Sequence, residues 1–420
     1  MKICILGLGY IGLPTSLLFA QKHEVIGVDN NKKIVDVLNA GKLPFNEPGL
    51  DELMENVKDN FRAQTNVVDA DVFLIAVPTP LDGSTKIADL KYVRHAAEMI
   101  VPHLKNNNLV ILESTVPPGT SERLVLPLLK KNGSEKICFS HCPERAIPGK
   151  TIFEIIHNDR IIGGINNISS ERTKKIYGSF VKGNMYTTDV KTAEFIKLME
   201  NTFRDVNIAL ANEFAQIAEE SNINVWDAIE LANKHPRVKI LKPGPGVGGH
   251  CIAIDPWFLT EYSTKFKIIP LARQINDSMP NIVLKMVREM LKDTKEPIIT
   301  VLGIAYKGDV GDARETPALK FIKLAENEGY QVKCFDPFVK HFEYQILSLE
   351  QSLSGSDCIV LLTDHTMFTT IDPSTISMRQ RNLVDTRNTL NHARWMDAGF
   401  TIKILGNGKF SNTVKTGTHE

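Results

Sequence analysis

The chain has 420 residues, too many for one ordinary hydrophobic core, so two or three domains are expected. Apolar residues make up 43% and charged residues 23%, which fits a soluble globular protein. Lys+Arg and Asp+Glu are equal at 49, so zero net charge gives no argument for binding nucleic acid or an anionic membrane, and no apolar run of 18 residues suggests a membrane span.

Residues 2–6 (KICIL) form a short apolar run that breaks at Gly7. Residues 11–21 have helix-forming composition, and residues 23–29 (HEVIGVD) read as a second strand. Strand, glycine turn, helix and strand make a βαβ unit, which implies a parallel sheet covered on both faces. The first twenty residues resemble a leader peptide only superficially, because three glycines and Pro14 interrupt the apolar stretch. Further buried-strand signals occur at residues 72–77, 109–113 and 137–141. A doubly wound α/β domain is therefore expected over residues 1–186.

From Asp189, a suitable N-cap, to about residue 221 there is neither Gly nor Pro. That predicts a helix of about 30 residues, roughly 45 Å long at 1.5 Å per residue. A second helix is expected from about 268 to 292, so residues 187–293 read as a helical middle. A new α/β unit, residues 294–420, opens with a strand at 298–302, a helix at 316–328 and a strand at 331–335. Residues 358–362 and 382–385 look like two more strands, and the polar residues 409–420 are expected to fray.

Gly7-x-Gly9-x-x-Gly12 lies between the first strand and its helix, and Asp29 ends the second strand. The glycines permit a tight turn and close approach of backbone to a pyrophosphate, which the helix N-terminus attracts. Asp29 would accept hydrogen bonds from ribose hydroxyls and repel a 2′-phosphate, favouring NAD over NADP. A glycine turn in an unrelated α/β protein is the plain alternative.

Residues 243–250 hold four glycines and two prolines and deliver Cys251 at their end, with Asp255 four residues later. Such a stretch is neither helix nor ordinary strand. It reads as shaped backbone presenting a nucleophilic thiol, against the alternative of a small buried core cysteine. On the long helix Lys197, Asn201 and Arg204 share one stripe at i, i+4, i+7. Apolar neighbours Phe195, Ile196, Leu198, Met199, Phe203 and Val206 predict a helix buried on most sides. The stripe would then be either a buried salt-bridge network or a site for an anionic substrate. A thiol beside a dinucleotide suggests oxidation of an alcohol or aldehyde to a carboxylate through a thiohemiacetal and a thioester. Six scattered cysteines suggest reduced thiols in the cytoplasm rather than a disulfide framework. Cys138, His141 and Cys142 lack a second ligand pair at zinc spacing, so no metal is expected.

Several ordered motifs extend this reading: Gly7–Gly12, Val77–Pro80, Glu113–Thr115, Cys142–Arg145, Lys197-x-x-x-Asn201, Gly244–Cys251, Gly303–Lys307 and Asp312–Pro317. Together, from residue 3 to about 390, they resemble the UDP-glucose/GDP-mannose dehydrogenase family. The resemblance implies two Rossmann-like doubly wound domains joined by a long central helix and a helical dimerisation domain. It also implies four-electron oxidation of a sugar C6 alcohol with two NAD, a homodimer, and a place in surface-polysaccharide synthesis. By resemblance Cys251 is the nucleophile and Lys197 the acid/base or oxyanion stabiliser. Asn201 and Asp255 would order the site and a water, Glu144 would assist thioester hydrolysis, and Thr115 would contact both the nicotinamide and the water. Gly7, Gly9, Tyr10, Ile11, Gly12, Asp29, Pro78, Thr79, Thr115 and Arg314 correspond to NAD contacts. Arg145, Ala146, Lys197, Asn201, Arg204, Gly248, Tyr306, Lys307 and Arg387 correspond to substrate contacts, with His235 and Arg237 reaching in from a partner subunit. Residues 233–239 (NKHPRVK) and the His250-Cys251-Ile-Ala253 run are similar to the branch acting on UDP-N-acetylmannosamine. The branch acting on UDP-N-acetylglucosamine is the alternative. Two readings outside the family also stand: a two-electron hydroxyacid dehydrogenase, and an inactive NAD-binding protein.

Overall fold

A computed structural model describes residues 1–132, 136–261 and 263–409. The tail expected to fray lies, from residue 410 on, outside the described residues. The chain forms two compact units: Met1–Glu200 with Ile254–Thr264, and Asn201–Ala253 with the chain from Lys265 onward.

The first unit is built on an eight-stranded sheet: β1 (Lys2–Leu6), β2 (Glu24–Val28), β3 (Phe61–Gln64), β4 (Val72–Ile75), β5 (Leu109–Leu112), β6 (Cys138–His141), β7 (Arg160–Gly164) and β8 (Met185–Asp189). Its order is β3-β2-β1-β4-β5-β6-β7-β8. The strand β1 lies between β2 and β4, with Ile3 opposite both Val25 and Val72. Apolar side chains of β1 alternate between faces, so Ile3 and Ile5 join one core layer and Cys4 and Leu6 the other. All pairs are parallel except β6 with β7. A wholly parallel sheet was the expectation. Here β6 and β7 are joined by an extended segment and the short helix Thr151–His157, and β7 returns beside β6 in the opposite direction.

The second unit carries a five-stranded parallel sheet of β9 (Ile298–Leu302), β10 (Gln331–Phe335), β11 (Cys358–Leu361), β12 (Asn382–Asp385) and β13 (Thr401–Ile404), ordered β10-β9-β11-β12-β13. Residues of helices Ile268–Met290 and Pro317–Asn327, among them Val283, Val287, Phe321 and Ile322, pack on it.

The central helix runs Val190–Glu220. Asp189 caps it: its carboxylate accepts from Thr192 N at 2.9 Å and Thr192 Oγ1 at 2.6 Å. The expectation of burial on most sides is corrected. Lys197, Leu198, Asn201 and Asp205 are buried, whereas Phe195, Met199, Phe203, Leu210, Phe214 and Ile217 are each 36–60% exposed along one face. Among the described residues no helix is long and apolar enough to cross a membrane.

Candidate active site

In the first unit the loops after β1, β4 and β5 come together where the strand order reverses, the place where open α/β sheets take ligands. Gly7 turns the chain at φ +96°, and a Cβ there would sit 2.5 Å from the Ala76 carbonyl oxygen. A Cβ on Gly12 would approach the Gly7 carbonyl oxygen to 1.9 Å, so the helix Gly12–Ala20 can start here only with glycine. Gly9, by contrast, faces open space, and no side chain caps that helix. Within its first turn Leu13 N donates to the Gly9 carbonyl at 3.1 Å and Pro14 carries no N–H, so what this end offers an anion is the positive end of the helix dipole behind a closely approachable glycine turn. The Asp29 carboxylate accepts from Leu8 N at 3.0 Å and Asn31 N at 2.9 Å. Further lone pairs remain for ribose hydroxyls. Thr79 Oγ1 donates to the Thr115 carbonyl at 2.7 Å, tying the loop after β4 to that after β5. Tyr10 stacks on Phe45, 4.5 Å between ring centroids. These features fit a dinucleotide.

Glu144 follows β6 and is buried. Its Oε1 accepts from Arg145 N at 2.6 Å and Ala146 N at 2.9 Å, and its Oε2 from Arg160 at 2.5 Å. The Arg145 guanidinium pairs with Glu200 and donates to the Asp159 carbonyl. Asp255 opens the short helix Asp255–Thr260, and Ile254 and Phe258 beside it pack with Leu198 of the central helix. Lys197 and Asp255, both buried, flank that cluster in the sequence.

The thiol lies in the second unit. Cys251 is exposed and in no disulfide, while the other five cysteines are buried. The glycine loop before it is held from both ends. At its start Gly244 N donates to Asn212 Oδ1 at 2.8 Å, and Asn212 Nδ2 donates to Asn276 Oδ1 at 2.9 Å. Asn276 and Arg273 then bind Asp205, at 2.8 Å and 2.6 Å, entirely within the protein interior. At its end Gly249 N donates to the Arg314 carbonyl at 3.0 Å. A Cβ on Gly248 would lie 2.7 Å from the Glu315 carbonyl oxygen and 2.8 Å from Tyr306 Cβ. Gly249, at φ +83°, lies against the Tyr306 ring. Arg314 is locked to Asp312, Nη2 to Oδ2 2.6 Å, which holds its charge, and it is electrostatically coupled to Cys251. Burial, with help from Arg314, pushes the neighbouring His250 below the usual imidazole range.

Arg387 pairs with Asp364 at 3.0 Å, and Lys307 is half-buried. Arg204 does not share the burial of Lys197 and Asn201, and His235 and Arg237 are exposed. The buried ion pair of the central helix is Asp205 with Arg273, not the predicted stripe. Sequence reasoning assigned no role to Asp205, Asn212, Arg273 or Asn276. Charged and amide groups on otherwise apolar helix faces were their only signal. Cys138 and Cys142 are core residues, and among the described residues no group of three His, Cys, Asp or Glu could hold a metal.

The second unit repeats the local geometry of the first. Gly303 after β9 turns at φ +89°, and Ile304 N donates to Asp336 Oδ2 at 2.7 Å just past β10, as Leu8 N donates to Asp29. Asp336 differs in that His365 Nε2 also binds it, at 2.9 Å.

Residues 1–181 match the family profile of the UDP-glucose/GDP-mannose dehydrogenase NAD binding domain, 191–278 the central domain and 300–392 the UDP binding domain. The chain belongs to the UDP-glucose/GDP-mannose dehydrogenase family. It is therefore an oxidoreductase, and NAD is its cofactor. It is 50% identical to a UDP-N-acetyl-D-mannosamine dehydrogenase of Methanococcus maripaludis, over 97% of each chain. It is 43% identical to an NDP-N-acetyl-D-galactosaminuronic acid dehydrogenase of Ralstonia nicotianae, over 92% of this chain and 95% of that one. The solved UDP-D-ManNAc dehydrogenase of Pyrococcus horikoshii superposes with a TM-score of 0.91 at 40% identity, covering 97% of this chain and all of the other.

Proposed function

We propose that this family member oxidises UDP-N-acetyl-D-mannosamine at C6 to the uronic acid. The observation that carries the reading is an exposed thiol at the end of a rigid glycine loop, beside a fixed Arg314, in a chain half identical to a UDP-N-acetyl-D-mannosamine dehydrogenase. NAD, when bound, accepts a hydride in each of two successive oxidations. Lys197 takes the alcohol proton and then steadies the developing oxyanion. The Cys251 sulfur adds to the aldehyde carbon, and the resulting thiohemiacetal is oxidised to a thioester. Asn201 and Asp255 hold the water that breaks it, with Glu144 receiving a proton. Gly7 to Gly12, Asp29, Pro78, Thr79 and Thr115 bind the dinucleotide. Arg145, Ala146, Arg204, Gly248, Tyr306, Lys307 and Arg387 bind the nucleotide sugar.

The domains that serve this chemistry are 1–186 for NAD, 187–293 for dimerisation and the cysteine loop, and 294–420 for the UDP-sugar. The exposed apolar face of the central helix supports a homodimer, and exposed His235 and Arg237 suit residues that serve a partner's site. The protein works in the cytoplasm, where its six thiols stay reduced. Steady-state kcat/KM values on UDP-N-acetylmannosamine, UDP-N-acetylglucosamine and UDP-glucose test the substrate. The manno epimer should lead by at least about ten-fold, with two NADH formed per sugar. A lead for the gluco epimer overturns the substrate, and one NADH per sugar overturns the thioester route.

A further inference from the structure

Behind Glu144 lies a buried ionic group that the proposed chemistry leaves unassigned. Arg160, the first residue of β7, is buried with its side chain only 4% exposed. Its guanidinium reaches Glu144 Oε2 at 2.5 Å and Glu113 Oε1 at 3.4 Å, and lies 4.3 Å over the Tyr177 ring. Tyr177, on the helix Asn167–Tyr177, donates its hydroxyl to Glu113 Oε1 at 2.9 Å. Cys142 Sγ stands 3.7 Å from Arg160 Nη1. Glu113 directly follows β5, two residues before Thr115, and its Oε2 is buried without a hydrogen-bond partner.

One guanidinium thus faces two buried carboxyl groups. Their positions are unequal. Glu144 has three donors, two backbone N–H groups and the close arm of Arg160, so it is the better place for a negative charge. Glu113 has the longer contact, a phenol and an orphaned oxygen. A second uncompensated charge in this interior would cost several kcal/mol, so Glu113 holds a proton instead. Burial, ahead of the opposing pull of Arg160, lifts its pKa to about 7.

We infer that Arg160 is a positioning residue for thioester hydrolysis: it keeps Glu144 anionic and fixed on the Arg145–Ala146 backbone while Glu113 carries the proton of the pair. This rests on the thioester reading of the site. In the hydrolytic step the water oxygen bonds to the thioester carbon, one water proton passes to the Glu144 carboxylate, and Cys251 leaves as thiolate. Without Arg160, two buried carboxyl groups remain with no cation between them. They share a proton, and Glu144 is no longer available as a base near neutrality. Hydrolysis should then slow and require higher pH.

Rapid-quench experiments on the full-length enzyme, with NADH formation and the Cys251 adduct followed by intact mass, separate oxidation from hydrolysis. In Arg160→Gln the adduct should accumulate, its breakdown should slow at least about ten-fold, and the pH midpoint of breakdown should rise by about one unit or more. NADH release before the thioester should stay within about two-fold of wild type. Arg160→Lys, which keeps a core cation but not the fork, should lie between, and it carries the test if Arg160→Gln does not fold. Breakdown with a wild-type rate and pH midpoint in these variants overturns the role, as does equal slowing of every step with an unmoved midpoint. Wild type giving one NADH per sugar overturns the thioester reading, and this inference with it.

Discussion

Gly248 shows how little freedom the cysteine loop has. Its φ is unremarkable, so conformational preference does not require glycine there; space does. A Cβ would press on the Glu315 carbonyl oxygen, on Tyr306 Cβ and, at 2.9 Å, on Pro317 Cδ, and two of those atoms belong to stiff or backbone groups. The loop must therefore move in Gly248→Ala, carrying Cys251 three residues on. Displacement of a reacting group by about 1 Å can cost about 100-fold in rate. We expect kcat/KM to fall by about that factor while NAD affinity, a property of the loop after β1, changes less than two-fold. Steady-state kinetics alongside NAD titration checks this; an active Gly248→Ala enzyme would mean the loop adapts without moving the thiol. The residue type was legible from sequence, because glycine density marked the loop. The identity of what it presses against was not, since Tyr306 and Glu315 are more than 55 residues away.

At the scale of elements, the sequence revealed strands where an apolar run ends at a glycine or a turn, as β1, β9 and β10 do. It missed β3, β7, β8 and β13, each for a physical reason. The strand β8, MYTTD, lies at the sheet edge with no buried residue, so no apolar run announces it. The edge strands β3 and β13 bury only alternate positions over four residues. In β7 a buried arginine opens the strand and two glycines close it, a composition that reads as a turn. The central helix was visible in the absence of Gly and Pro, but its exposed face was not, because an apolar side chain does not declare what covers it. Phe195, Met199, Phe203, Leu210, Phe214 and Ile217 recur at three-, four- and seven-residue steps on that face. A patch of this kind on one long element suits the same element of a second copy. If the proposed homodimer forms through this face, the double variant Phe203→Glu/Phe214→Glu should sediment as a monomer and lose most activity, because the proposed contribution of His235 and Arg237 to a partner's site goes with it. A dimer of undiminished activity in sedimentation velocity and NADH assays rejects this helix as the interface.

Across the whole molecule the balance of 49 basic and 49 acidic residues conceals two buried groups that pull stability in opposite directions with pH. His141, at the end of β6, is fully buried, and burial, ahead of the opposing pull of the Leu112 backbone, pushes its pKa down to about 3. Between pH 6.5 and 3 the unfolded chain therefore holds the extra proton, and stability falls as the solution is acidified. Glu113 acts the other way. With its pKa lifted to about 7, the folded state holds the extra proton between pH 4.5 and 7, so its contribution is fully present below pH 4.5 and lost as pH rises through 7. Where the windows overlap, from pH 4.5 to 6.5, the two contributions offset each other, each up to about 1.4 kcal/mol per pH unit. Removing either one should uncover the other. Urea unfolding of His141→Leu across that window should show stability decreasing with pH relative to wild type, and Glu113→Gln should show it increasing. The sign of each difference is the test: parallel pH profiles in wild type and His141→Leu would mean that the imidazole reaches water or a partner when charged, and that the interior around His141 opens as it protonates.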